Sequence, residues 1–179
     1  MLDVETSTPA FLPPMTYDAA GILAISVAVA DLNADGHPDV VTANEFSTNV
    51  GVLLNTGDGT FPPAVSYALE GLFAQAVAIA DVNHDSRPDL IVAVRCSNSA
   101  DCSGLVEVLF GNGDGTFQRP VSYRTGGESG WSVAVADMNT DGNLDLVVVN
   151  EVSNTAGVLM GDGHGAFQPA VTYDSGGRS

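Results

Sequence analysis

The chain has 179 residues, 45% of them hydrophobic, which is enough to bury a core and is typical of a globular rather than a disordered protein. Its 22 acidic residues outweigh five basic ones and give a formal net charge of −17, so we expect neither nucleic acid nor an anionic membrane surface as a partner. No apolar run approaches the roughly 18 residues that cross a bilayer, so membrane insertion is not expected either. Residues 1–10 form a polar, acidic tail in which no signal peptide is recognisable.

In chain order, one pattern occurs three times, and such self-similarity is the signature of a repeat architecture. It reads VAVADLNADGHPDVV from Val27, VAIADVNHDSRPDLI from Val77 and VAVADMNTDGNLDLV from Val133. The leading aspartates of the three copies are 50 and 56 residues apart, and the six extra residues fall around Cys96 to Cys102.

A second landmark follows each copy: a Gly-Asp-Gly turn in the first two copies, matched loosely by Gly163-His164-Gly165 in the third, then a segment that runs from a phenylalanine to a tyrosine. The apolar segments are short, β-branched and bounded by turn residues, which predicts about four strands per repeat. Four antiparallel strands in a repeat of this size are typical of a β-propeller blade. We therefore predict an all-β fold with repeats at about 11–60, 61–116 and 117–166, and an extra terminal strand at 167–173. The tyrosines that recur at one repeat position are interpreted as packing residues.

Each copy contains an aspartate-rich loop with oxygen-bearing side chains at loop positions 1, 3, 5 and 9. Calcium takes six to eight oxygen ligands, and a tight loop with alternating oxygen donors can surround one ion, helped by the backbone carbonyl at position 7. Strands rather than helices flank the loops, and position 12 carries no glutamate, so they are not EF-hands. Magnesium stays an alternative, and the loop with Ser86 at position 6, where the others have glycine, is the weakest candidate. The predicted ligands of three calcium ions are Asp31, Asn33, Asp35, His37 and Asp39; Asp81, Asn83, Asp85, Arg87 and Asp89; and Asp137, Asn139, Asp141, Asn143 and Asp145.

The motif DxNxDGxxD between apolar strands, followed by Gly-Asp-Gly-Thr-Phe, resembles the FG-GAP or VCBS repeat, the blade of the integrin α-subunit propeller. The resemblance covers about Phe11 to Tyr173. It implies four-stranded blades with calcium in an outer-edge loop between the first two strands, where the ion stiffens the blade. Complete propellers of this family have six to eight blades. Three blades therefore imply either a fragment of a longer protein or a ring that several copies complete, with a dimer of six blades favoured.

These features predict a non-catalytic, extracellular binding, adhesion or structural module that takes a protein or glycan ligand. The alternative is a calcium-dependent lectin. No catalytic residues are assigned, because the sequence contains no nucleophile elbow, phosphate loop or zinc pair. Cys96 and Cys102 are either disulfide-bonded across a hairpin end or two free thiols in a loop.

Overall fold

The computed structural model describes residues 13–176, and twelve β-strands account for its regular secondary structure. No helix long and apolar enough to cross a membrane occurs in this part of the chain. The strands are β1 (Ala24–Ala30), β2 (Asp39–Asn44), β3 (Asn49–Leu53), β4 (Val65–Ala68), β5 (Leu72–Ala80), β6 (Asp89–Cys96), β7 (Ser103–Leu109), β8 (Val121–Glu128), β9 (Gly130–Ala136), β10 (Asp145–Asn150), β11 (Thr155–Leu159) and β12 (Val171–Asp174).

The strands form three separate sheets of four, and consecutive strands are neighbours in each sheet. All pairs are antiparallel, so every sheet is an up-and-down blade. The prediction of an all-β fold with three four-stranded blades is confirmed. We call the sheets blade 1 (β1–β4), blade 2 (β5–β8) and blade 3 (β9–β12).

The hydrophobic core lies between the blades, because each sheet is apolar on the faces that meet its neighbours. One buried cluster joins blades 1 and 2 and includes Val41, Val50 and Leu90. A second cluster joins blades 2 and 3 and includes Ile91 and Leu146. Neither cluster joins blade 1 to blade 3, so the three blades form an open stack in chain order.

The sheets divide the chain differently from the predicted repeats, because each blade begins at the strand before its aspartate loop. The strand predicted as an extra element at 167–173 is β12, which pairs with β11 as the fourth strand of blade 3. The unmatched segment is the first one, at Phe11 to Tyr17. Its first two residues and the tail at 1–10 lie outside the described residues, and residues 13–17 form no strand.

Three of the four recurring tyrosines pack as the sequence indicated, each on a phenylalanine about 44 to 50 residues further along the chain, whereas Tyr173 is exposed. The rings of Tyr67 and Phe117 meet edge to face with centroids 5.5 Å apart, a favourable geometry for aromatic pairs. Tyr123 with Phe167 and Tyr17 with Phe61 repeat it at 5.3 and 5.1 Å. The same type of aromatic contact therefore recurs between consecutive repeats.

Blade 2 carries the insertion, and its two cysteines are joined. The Cys96–Cys102 disulfide closes the connection between β6 and β7, so the thiol alternative is excluded. Blade 2 also buries Glu107, whose carboxylate accepts hydrogen bonds from the backbone N–H groups of Glu70 (3.0 Å) and Gly71. Burial raises the pKa of Glu107, while these two bonds oppose the rise. The carboxylate fixes the link between blades 1 and 2.

Candidate metal sites

The aspartate loops connect the first and second strands of each blade, at residues 31–38, 81–88 and 137–144. Each loop reverses the chain through two residues with positive φ. In the first loop these are Ala34 at 60° and Gly36 at 84°. Positive φ is unfavourable for a residue with a Cβ, which explains why glycine suits position 6.

In the first loop, hydrogen bonds join the side chains at positions 1, 3 and 5 to one another and to the loop backbone. The N–H of Asp35 donates to Asp31 Oδ1 (3.2 Å) and to Asn33 Oδ1 (3.1 Å). The N–H of Gly36 donates to Asp31 Oδ2 at 2.8 Å, and Asn33 Nδ2 donates to Asp35 Oδ2 at 2.9 Å. Two carboxylates and one amide are thus held together at an exposed loop.

The other two loops repeat this arrangement bond for bond. Asp81, Asn83 and Asp85 make the equivalent contacts at 2.8 to 3.2 Å. Asp137, Asn139 and Asp141 do so at 2.9 to 3.2 Å. Ser86 keeps the conformation of the glycines that it replaces, with φ of 65°, and its N–H still donates to Asp81 Oδ2. The substitution at position 6 therefore leaves the geometry of the second loop intact.

The aspartate at position 9 is placed differently, and sequence reasoning missed its role. Asp39 is fully buried; its Oδ2 accepts from Leu32 N at 2.8 Å and its Oδ1 from Asn55 N at 2.7 Å. It therefore ties the aspartate loop to the chain that leaves β3. Asp89 and Asp145 are buried in the same way and make the equivalent pair of bonds.

Position 7 has a further role, also missed from the sequence. A Cβ added to Gly57 would lie 2.8 Å from His37 Nε2, and one added to Gly113 would lie 3.2 Å from Arg87 Cδ. Asn143 stands against Gly163 in the third blade in the same way. The position-7 side chains therefore cover Gly57, Gly113 and Gly163, the first glycine of the second turn in each blade, and link the two loops of a blade.

Two exposed loop carboxylates and one buried carboxylate have pKa values shifted in opposite directions. The pKa of Asp35 is lowered, first by the hydrogen bond from the His37 backbone and then by that from Asn33. The pKa of Asp141 is lowered in the same way by Asn143 and Asn139. Burial instead raises the pKa of Asp89 to about 6, against the effect of its two backbone donors. Asp35 and Asp141 are therefore ionised at neutral pH.

The oxygen donors of the loops fit a hard cation. Carboxylate and amide oxygens are the ligands that calcium prefers, and positions 1, 3 and 5 bring them together. No group of three or more His, Cys, Asp or Glu side chains stands close enough to hold a metal within residues 13–176. The arrangement thus gathers the predicted ligands at positions 1, 3 and 5 and keeps the position-9 carboxylate on backbone donors.

Four-stranded antiparallel blades that pack face to face, each with an acidic loop between its first two strands, define a propeller-type repeat protein. The family model described as FG-GAP-like repeat matches residues 31–92 and 96–148, together more than half of the chain. The chain therefore belongs to the FG-GAP-like repeat family, as the sequence motifs indicated.

No curated protein matches the chain. Among solved structures, it is similar to an Agrocybe aegerita lectin that recognises non-reducing terminal N-acetylglucosamine, with 23% identity and a TM-score of 0.32. The similarity covers 80% of this chain and 50% of the lectin chain, so this chain spans about half the length of that protein.

Proposed function

We propose that the chain is a non-catalytic, calcium-binding module in which Ca²⁺ stiffens each blade at its aspartate loop. One observation carries the proposal: in all three loops the side-chain oxygens at positions 1 and 3 accept from the backbone N–H at position 5, and the position-3 amide donates to the position-5 carboxylate. Turn-forming tendency alone explains one such loop, but it does not require the same three oxygen donors in every blade. A bound Ca²⁺ would neutralise the crowded carboxylates, which otherwise repel one another.

The lowered pKa values of Asp35 and Asp141 support the proposal, because a cation binds the ionised carboxylate. In this proposal Asp31, Asn33 and Asp35 and their counterparts hold the ion. The buried position-9 aspartates hold the loop in place and remain available as additional ligands. The site prefers calcium over magnesium, since a flexible loop that offers many oxygens suits the larger ion.

We further propose an extracellular location and a role as a binding or adhesion scaffold. The Cys96–Cys102 disulfide supports this, since disulfides persist in oxidising compartments. The ligand would be a protein or a glycan, and a glycan array probed with and without calcium distinguishes the two. Specific, calcium-dependent glycan binding would make the module a lectin, and its absence would favour a protein ligand.

Isothermal titration calorimetry with CaCl₂ tests the calcium sites directly. We expect up to three binding events, together with a rise in thermal stability. A ligand at a hundred times its dissociation constant adds about 2.7 kcal/mol per site. Asp31→Asn should remove one event, whereas Glu128→Gln, a change of an exposed acid outside the loops, should remove none. Absence of both heat and stabilisation at millimolar calcium would refute the proposal.

A further inference from the structure

The two faces of a blade differ in the size of their side chains, most clearly on the innermost strand. In β5, Val77 and Ile79 pack into the cluster shared with blade 1. Ala76 and Ala78, which alternate with them, pack into the cluster shared with blade 3. Each interface therefore pairs a face with large residues on its first strand with a neighbouring face that has small ones there.

Within residues 13–176, blades 1 and 3 each leave one face uncovered, and the two faces are of opposite kinds. Blade 1 turns Ala28 and Ala30 towards blade 2, so Val27 and Val29 point outwards. Val27 is 63% exposed, whereas its counterpart Val77 is 8% exposed. We call this outward side of blade 1 the valine face. Because no ordinary soluble surface favours a row of exposed valines, this face is suited to a contact.

Blade 3 leaves the complementary side open. It packs Val133 and Val135 against blade 2 and turns Ala134 and Ala136 to solvent. We call this outward side the alanine face. Met138 borders it and is 54% exposed, whereas its counterparts in blades 1 and 2, Leu32 and Val82, are 2% exposed.

We propose that the alanine face of one copy packs on the valine face of a second copy, in the geometry that the internal blade interfaces already use. The occupant is a second copy of this chain because the chain itself carries both halves of the interface. Two such junctions join two copies head to tail and give six blades around a two-fold axis. Ser26 Oγ accepts a hydrogen bond from Val77 N at 3.2 Å, and Ser132 of one copy would accept from Val27 N of the other in the same way.

A segment of the chain already marks where the partner's outer strand would lie. Tyr17 packs edge to face on Phe61 as Tyr123 packs on Phe167. Two residues later, the carbonyl of Ala19 accepts from Asn44 Nδ2 at 3.0 Å. The carbonyl of Thr125 accepts from Asn150 Nδ2 at 3.4 Å in the matching place, as the equivalent bond of blade 3.

The segment at 13–19 therefore lies where the outer strand of a preceding blade belongs. In the assembled dimer, β12 of the other copy occupies this position, and its Tyr173 packs against Phe61. Tyr173 is exposed in blade 3 because no following phenylalanine meets it. Since β12 is hydrogen-bonded into a sheet and the segment at 13–19 forms no strand, β12 displaces the segment on assembly.

Sedimentation equilibrium of the full chain over a range of concentrations tests the proposal. We expect a monomer–dimer equilibrium, and Val29→Asp or Met138→Asp should each weaken it about a hundredfold or more, because each change disrupts both junctions. Val121→Asp is the matched control: this exposed valine lies in blade 2, which is covered on both sides, so dimerisation should persist. Circular dichroism tests whether the variants fold. If Val29→Asp does not fold, Val29→Thr replaces it.

A mixing experiment identifies the geometry of the contact. The Val29→Asp chain keeps a normal alanine face and the Met138→Asp chain a normal valine face, so their mixed dimer has one intact junction and one that carries both aspartates. A one-to-one mixture should therefore associate at concentrations at which neither variant does alone. A monomer at every concentration, or a mixture that stays monomeric, would overturn the proposal. Tyr17→Ala should strengthen association by loosening the displaced segment, and a weaker association of this variant would contradict the displacement.

Discussion

Replacement of Asp39 by asparagine separates a structural role of this residue from a role in metal binding. Asp39 is buried, and each of its carboxylate oxygens accepts one backbone hydrogen bond, from Leu32 at 2.8 Å and from Asn55 at 2.7 Å. Asparagine has the same shape but offers one oxygen. Its NH₂ group would then face a backbone N–H, and one buried donor would lose its partner.

The magnitude follows from that lost partner. A buried polar group without a hydrogen bond costs about 1–3 kcal/mol, so we expect Asp39→Asn to lower the free energy of unfolding by about 2 kcal/mol. Asp39→Ala, which removes both acceptors, should lower it by about 4 kcal/mol on the same basis. For a chain of this length, 2 kcal/mol corresponds to a decrease in Tm of about 4–8 °C.

Urea unfolding in EDTA, followed by circular dichroism, measures this loss without any contribution from metal. Asp35→Asn is the control, because Asp35 is an exposed member of the same loop and its replacement should change stability in EDTA by less than about 0.5 kcal/mol. If Asp39→Asn were as stable as the wild type in EDTA and weaker only in calcium, Asp39 would be a metal ligand without the anchoring role argued here.

Three further predictions concern blade 2. Ser86→Gly should raise the free energy of unfolding by about 1 kcal/mol in a urea titration, because glycine adopts the φ of 65° without strain; no gain would show that this strain is absent. In EDTA, stability should rise by up to about 3 kcal/mol as pH falls from 7 to 4, since burial raises the pKa of Asp89 to about 6 and the folded state binds the proton more tightly than the unfolded state. This rise should be missing in Asp89→Asn, and an equal slope in both proteins would assign it to other groups. Cys96→Ser with Cys102→Ser should lower stability by about 2 kcal/mol, as expected for a short closed loop, and dithiothreitol should then have no further effect.

Much of the fold was predictable from the sequence because the same pattern occurs there three times. Three aligned copies of an apolar segment, an acidic loop and a Gly-Asp-Gly turn predict three blades of four strands, and the structure has them. The short-range pattern also located the loops whose first, third and fifth positions converge. Both results depend on neighbours in the chain, where β-branched residues favour strands and Asp, Asn and Gly favour tight turns.

Other properties depended on contacts between distant residues. The sequence presents Asp39 as one of three equivalent aspartates in its loop, and only the fold shows that it is buried and accepts from the N–H of Asn55, sixteen residues away. The blade boundaries could be assigned only from the pairing of the strands, which places β12 in blade 3 rather than in an extra element. The exposure of Val27 and Met138 could likewise not be predicted from the repeat pattern, because equivalent positions are buried or exposed according to whether another blade covers them. Local patterns determine which strands and turns form, whereas packing across the blades decides which equivalent residues become anchors, core or open surface.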